Sequence, residues 1–78
     1  MNPEVYRILD LFNKSQFFST IKNKEGFAEK ICKTFHFDIC HEIKKADLWL
    51  EVNTQKRYKR YDKFLLNWLN RRDNEIHK

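Results

Sequence analysis

The scarcity of glycine and proline most constrains the fold of this 78-residue chain, which contains one of each. Tight turns and β-hairpins depend on these residues, so a β-sandwich or an α/β sheet is disfavoured. Apolar residues recur instead at intervals of three and four, the period of an amphipathic helix. The sequence therefore predicts an all-α protein, a compact bundle of four to five short helices. We expect a single helical domain over residues 1–72 and a frayed tail over residues 73–78.

Local signals place the first helices. Asn2 is suited to an N-cap and Pro3 to the first helical position, and the helix should close at residues 13–15. A short helix over residues 15–22 and a firmer one over residues 25–35 are expected next. The break between them is predicted at residues 23–26, because Gly26 is costly in a helix interior.

The second half of the chain should hold two further helices. Asp38 is a good N-cap for a helix that ends at residues 52–54, and Leu48 lies off its apolar stripe, which indicates contacts on more than one side. Thr54 is then predicted to cap a last helix that ends near Arg72.

The positive charge of the chain is concentrated in this last segment. The formal net charge is +5, yet residues 54–72 contain seven basic residues and one acidic residue, so they alone carry +6. On a continuous helix, aromatic and leucine side chains would share one arc and most of the cations the other, with Asn67 and Asn70 among them. Arg57 and Arg72 would project from the apolar arc near the helix ends.

Two interpretations of this charge remain open. The cations could form a solvated face that keeps the domain soluble, as charge runs usually do. They could instead contact the phosphates of a nucleic acid, which attract clustered Lys and Arg through counterion release. The shortage of acidic partners favours phosphate contact. The candidate nucleic-acid-binding residues are Lys56, Arg57, Tyr58, Lys59, Arg60, Tyr61, Lys63 and Arg71.

The aromatic residues of this segment divide into two groups. Helical spacing favours a core position for Phe64, Leu65, Trp68 and Leu69. Tyr58 and Tyr61 stand among the cations and are the better candidates for stacking on unpaired bases.

The last 30 or so residues, KKADLWLEVNTQKRYKRYDKFLLNWLNR, resemble a terminal segment of phage and plasmid replication-initiation and primosomal proteins associated with helicase loading. In that group a helix with a W-L/I-x-x-N element precedes a basic stretch and then F-L-x-x-W-L. The matching residues are Trp49, Leu50, Asn53, Lys56, Arg57, Tyr58, Tyr61, Phe64, Leu65, Trp68 and Leu69. The resemblance implies a helical module that binds DNA, often single-stranded, or docks on a replication partner.

A different class of function fits the same segment. A protein-interaction module, such as a phage-encoded adaptor or inhibitor of a host protein, could set the basic helix against an acidic surface. Leu48, Leu66 and Phe18, if exposed, would then form the apolar contact patch.

Neither catalysis nor metal binding is expected. Cys32, His36, Cys40 and His41 lack the paired spacing of zinc ligands, and no phosphate loop or carboxylate cluster accompanies them. We therefore predict no enzymatic activity, no metal and no cofactor.

The expected compartment is the cytoplasm. No apolar run approaches the roughly 20 residues that span a bilayer, so no membrane partner is expected. Two cysteines are too few for a disulfide scaffold, and the N-terminus lacks the features of a signal peptide. Strandedness, the choice between DNA and RNA, and oligomeric state do not follow from the sequence.

Overall fold

The computed structural model describes residues 2–53, 55 and 57–76. Within these residues the chain forms four α-helices and no β-strand, which confirms the all-α bundle. The helices are α1 (Pro3–Lys14), α2 (Lys24–Thr34), α3 (Ile39–Val52) and α4 (Tyr61–Ile76), and a single 3-10 turn (Phe18–Thr20) lies between α1 and α2. None of the helices in the described part of the chain combines the length and the hydropathy that a membrane span requires.

The first three helices begin at side-chain caps. The Asn2 side chain accepts a hydrogen bond from the amide of Glu4 at 2.9 Å, and Asp38 accepts one from the amide of His41 at 3.1 Å. Both caps were predicted and are confirmed. Asn23 caps α2 from a left-handed conformation with φ 52°, accepting from the amide of Gly26 at 3.2 Å. A Cβ on Gly26 would lie 2.5 Å from Asn23 Nδ2, so the glycine leaves room for the cap and belongs to the helix, not to the break.

The core lies where α1 packs on α2 and α3, and where α4 packs on α3 and the 3-10 turn. Buried side chains from every element meet there, and dispersion and loss of hydrated apolar surface stabilise the packing. The largest fully buried side chains are Phe12, Phe18, Ile8, Ile31, Ile39, Ile43, Leu50, Leu65 and Leu69.

The predicted short helix over residues 15–22 is wrong in extent, since only the 3-10 turn forms. Ser15 explains this. Its buried hydroxyl accepts hydrogen bonds from the amides of Phe17 and Phe18, both at 3.1 Å, and donates one to Asp47 Oδ1 at 2.6 Å. The amides are thus satisfied by a side chain, and the turn is tied to α3.

The last helix begins later and ends later than predicted. Residues 57–60 precede it, and the proposed cap, Thr54, lies outside the described residues. The ring centroids of Tyr58 and Phe64 are 4.7 Å apart, a contact that a continuous helix would not allow, because residues six apart lie on different faces. Aromatic packing thus overrides the helical pattern here. At the other end α4 continues to Ile76, through four of the residues expected in the tail.

Two further expectations need correction. Phe18 is fully buried, so it cannot belong to an exposed apolar patch. Leu48 is 60% exposed, so although α3 contacts both α1 and α4 as expected, it does so without a buried Leu48. Of the four predicted core residues in α4, Leu65 and Leu69 are fully buried, while Phe64 and Trp68 are partly buried against the core.

Candidate nucleic-acid interface

An aromatic cluster forms where α4 crosses α3. Trp49 of α3 stacks on Phe64 of α4 with ring centroids 5.7 Å apart, and meets Trp68 edge to face at 6.2 Å. Tyr58, from the segment before α4, lies 4.7 Å from Phe64 and extends the cluster. All four rings are partly exposed. Such pairs hold one another in fixed orientations, so their outer surfaces form a stable apolar floor.

A buried carboxylate fixes one member of this cluster. Glu42 of α3 is 4% exposed and accepts a hydrogen bond from the Trp68 indole Nε1–H at 3.2 Å. Its other oxygen, Oε2, lies 3.6 Å from Arg72 Nε and 3.7 Å from Lys45 Nζ. A carboxylate is tolerated at this depth only with such partners. Glu42 therefore ties α4 to α3 and orients Trp68.

Cations surround the aromatic floor, and they differ in what neutralises them. Within residues 2–53, 55 and 57–76, no carboxylate oxygen lies within 4.0 Å of the charged nitrogens of Lys59, Lys63 or Arg71. Arg60 instead pairs with Asp62 at 2.8 Å. The Arg60 hydrogen bond holds the pKa of the Asp62 carboxyl below its usual range. Three cations are thus available to an external anion.

The floor and the cations together enclose a groove of about 630 Å³, within the size range of ligand pockets, roughly 300–1,000 Å³. We call it the aromatic groove. It is lined by Trp49, Tyr58, Lys59, Arg60, Lys63, Phe64, Asn67, Trp68 and Arg71.

The structure brings five of the eight predicted site residues to this groove: Tyr58, Lys59, Arg60, Lys63 and Arg71. Tyr61 does not line it and packs on Phe17 and Phe18, with ring centroids 5.6 and 6.5 Å away, and edge to face on Tyr58 at 6.2 Å. Arg57 is exposed but does not line the groove. Lys56 lies outside the described residues.

Further residues in or beside the groove were not among the predicted site residues: Trp49 lines it, whereas Glu42 does not line it but holds Trp68. Trp49 and Glu42 belong to α3, where periodicity alone cannot show that they meet α4. Lys22, from the turn before α2, lines a neighbouring depression together with Lys59 and Arg60. Basic residues are common in turns, so the sequence alone did not indicate that Lys22 lies beside the groove.

The cysteines and histidines lie apart from the groove. Cys32 donates a weak hydrogen bond to Glu4 at 3.7 Å, and burial, followed by the Glu4 charge, raises the pKa of its thiol. Burial likewise raises the pKa of Cys40. Both side chains are free thiols. Among the described residues, no group of three or more His, Cys, Asp or Glu side chains is placed to hold a metal ion.

Comparisons with protein-family models, with curated proteins and with solved structures find no match to this chain.

Proposed function

We propose that this protein binds nucleic acid through the aromatic groove, as a binding module without catalysis. The observation that carries the proposal is the set of three cations, Lys59, Lys63 and Arg71, that border an aromatic floor without acidic partners. Clustered cations of this kind bind phosphates because the counterions of the nucleic acid are released.

The clustering of these cations supports this role more than their lack of acids, because exposed Lys30 and Lys33 also have no carboxylate oxygen within 4.0 Å among the described residues. Lys14 pairs with Asp10 at 2.8 Å, and Arg72 pairs with both Glu42 and Glu75. These cations have acids beside them, as expected on a surface whose charges serve solubility. Arg60 at the groove also has an acidic partner, Asp62, but Lys59, Lys63 and Arg71 do not. These three cations lie together at the groove, so a bound anion would relieve their mutual repulsion.

We propose a phage or plasmid replication setting on the resemblance of residues 44–71 to replication-initiation and primosomal segments. Trp49, Phe64 and Trp68, which carry that resemblance, are also groove residues.

A second candidate, a protein-interaction module, draws on a different surface. Leu48 and Val52 are 60% and 74% exposed and lie one turn apart on α3. Exposed apolar residues at this spacing are the kind that dock on a partner protein. Docking of a partner protein on this surface should be weakened by Leu48→Ser, which removes the apolar contact without a change in charge, whereas binding of nucleic acid should be unchanged.

The test of the proposed function is a salt-dependent anisotropy titration with a labelled oligonucleotide. The variant Lys63→Glu/Arg71→Glu should weaken binding at least about tenfold. The slope of log K against log [salt] should become shallower by about 1.4, because each phosphate contact on a single strand contributes roughly 0.7 to that slope. Circular dichroism should show unchanged helicity.

The matched control is Lys30→Glu/Lys33→Glu on α2, which makes the same change in net charge at two exposed positions outside the groove. We expect only a small loss of affinity, from the altered overall charge. Equal losses in the two variants would show that binding is not localised to the groove, and no binding at low salt would refute the proposed function.

A further inference from the structure

We infer that the aromatic groove takes the unpaired bases of a single strand, so that the protein selects single-stranded over duplex nucleic acid. This inference rests on the proposed function and adds to it the structural state of the ligand. It depends on the aromatic floor, whereas the proposed function depends on the cations.

Two parallel rows of side chains along α4 carry the inference. Lys63, Asn67 and Arg71 are spaced by four residues and form one row, about 12 Å long at 1.5 Å per residue. Phe64 and Trp68, also four residues apart, form the adjacent row. All five residues line the groove. A single strand has the same arrangement, with phosphates along one side and bases along the other.

The second row is widened by rings from outside α4. Trp49 adds an indole from α3, and Tyr58 adds a phenol from the segment before the helix. Each ring is partly exposed within the groove. A base offers a flat π surface to such rings, and every base type can do so, which makes the contact tolerant of sequence.

Asn67 adds a polar group among these rings. It is exposed, lines the groove and lies between the two cations of its row. Its side-chain amide can both donate to and accept from the edge of a base.

A duplex cannot use the aromatic floor in this way. Its bases stack on one another, and only their edges are accessible in the grooves. A duplex therefore gains the phosphate contacts of Lys59, Lys63 and Arg71 but not the stacking contacts. A preference for the single strand should therefore come from the stacked bases, and it is offset in part by the greater counterion release from a duplex.

The test compares three labelled ligands of equal length at one low salt concentration: oligo(dT), the same backbone with abasic sites throughout, and a blunt duplex. Oligo(dT) should bind about 5- to 150-fold more tightly than the abasic strand for each stacked base. It should also quench the fluorescence of Trp49 and Trp68 at saturation, and the abasic strand should not.

A pair of variants tests the same point from the protein side. Tyr58→Leu removes one ring of the aromatic floor. Provided that circular dichroism shows unchanged helicity, the variant should weaken binding of oligo(dT) and leave the affinity for the abasic strand unchanged. The control is Tyr6→Leu, at a tyrosine on α1 that is 59% exposed, and it should change neither affinity.

The outcomes separate this inference from the proposed function. Equal binding of all three ligands by the wild-type protein would overturn base selection while leaving phosphate binding intact. Absence of binding to all three would overturn both. Equal weakening of oligo(dT) and abasic binding by Tyr58→Leu would also contradict the inference, since Tyr58 would then contact the sugar-phosphate backbone of the strand and not its bases.

Discussion

Glu42 is the residue that most directly connects the fold to the candidate site. Its buried carboxylate accepts from the indole of Trp68 and lies near Arg72 and Lys45. The two cations are about half exposed, so each ion pair contributes at most about 1 kcal/mol. The hydrogen bond to Trp68 is the larger contribution, because losing it leaves a partly buried N–H without its partner.

This difference gives a prediction for two substitutions. Glu42→Ala should lower the free energy of unfolding by about 1–3 kcal/mol, whereas Glu42→Gln should cost about 1 kcal/mol or less, because the amide oxygen still accepts from Trp68. Urea denaturation followed by tryptophan fluorescence measures both.

Glu51→Ala, an exposed position on the same helix, is the control and should be nearly neutral. If Glu42→Gln is as destabilising as Glu42→Ala, the ion pairs dominate and the account of Glu42 is wrong.

At the scale of the elements, the segment before α4 and the first turn of that helix present Tyr58 and the nearby cations to the groove. Asp62, in this first turn, accepts hydrogen bonds from the amide of Lys63 at 2.9 Å and from Arg60 at 2.8 Å. Its negative charge also lies at the positive end of the helix dipole. Asp62 thus stabilises the helix start and at the same time neutralises Arg60, which lines the groove.

The lowered pKa of Asp62 makes this contribution dependent on pH. Because the folded protein binds the proton less readily than the unfolded chain, the stabilisation is present above the ordinary carboxyl pKa of 3.8 and is lost as the pH falls through the lower folded-state value. Asp62→Asn should therefore lower Tm at neutral pH, and the difference from wild type should disappear in strong acid.

The same substitution frees Arg60, so Asp62→Asn should also bind an oligonucleotide more tightly at neutral pH. Asp10→Asn is the matched control, because it breaks a surface ion pair on α1 and makes the same change in net charge. A Tm difference that persists in strong acid, or equal gains in affinity from both variants, would contradict this role of Asp62.

The sequence predicted those elements whose signals are local. Asn2 and Asp38 cap helices through their own neighbouring amides, so their positions follow from the residues alone. The start of α4 does not, because the ring of Tyr58 packs on Phe64, six residues further along the chain, in a contact that the helical pattern does not include. The 3-10 turn likewise depends on the Ser15 hydroxyl and its bond to Asp47 on a distant helix.

The candidate site was predictable to a similar extent. The cations at Lys59, Lys63 and Arg71 follow from the charge of one segment. Trp49 and Glu42 enter the site only because α3 packs against α4, and one-dimensional spacing does not contain that information.

At the scale of the whole molecule, the two candidate functions use different surfaces. The molecule measures 32 × 31 × 18 Å. The aromatic groove lies between α4 and Trp49 of α3, whereas exposed Leu48 and Val52 lie outside the groove lining. Nucleic-acid binding and protein docking should therefore perturb different residues.

The most direct measurement is an NMR titration of the ¹⁵N-labelled protein with oligo(dT), recorded as amide and indole chemical-shift changes. We expect the largest changes at the indole N–H groups of Trp49 and Trp68 and at the side-chain amide of Asn67, with little change at Leu48 and Val52. Changes confined to Leu48 and Val52, or none at low salt, would contradict the account.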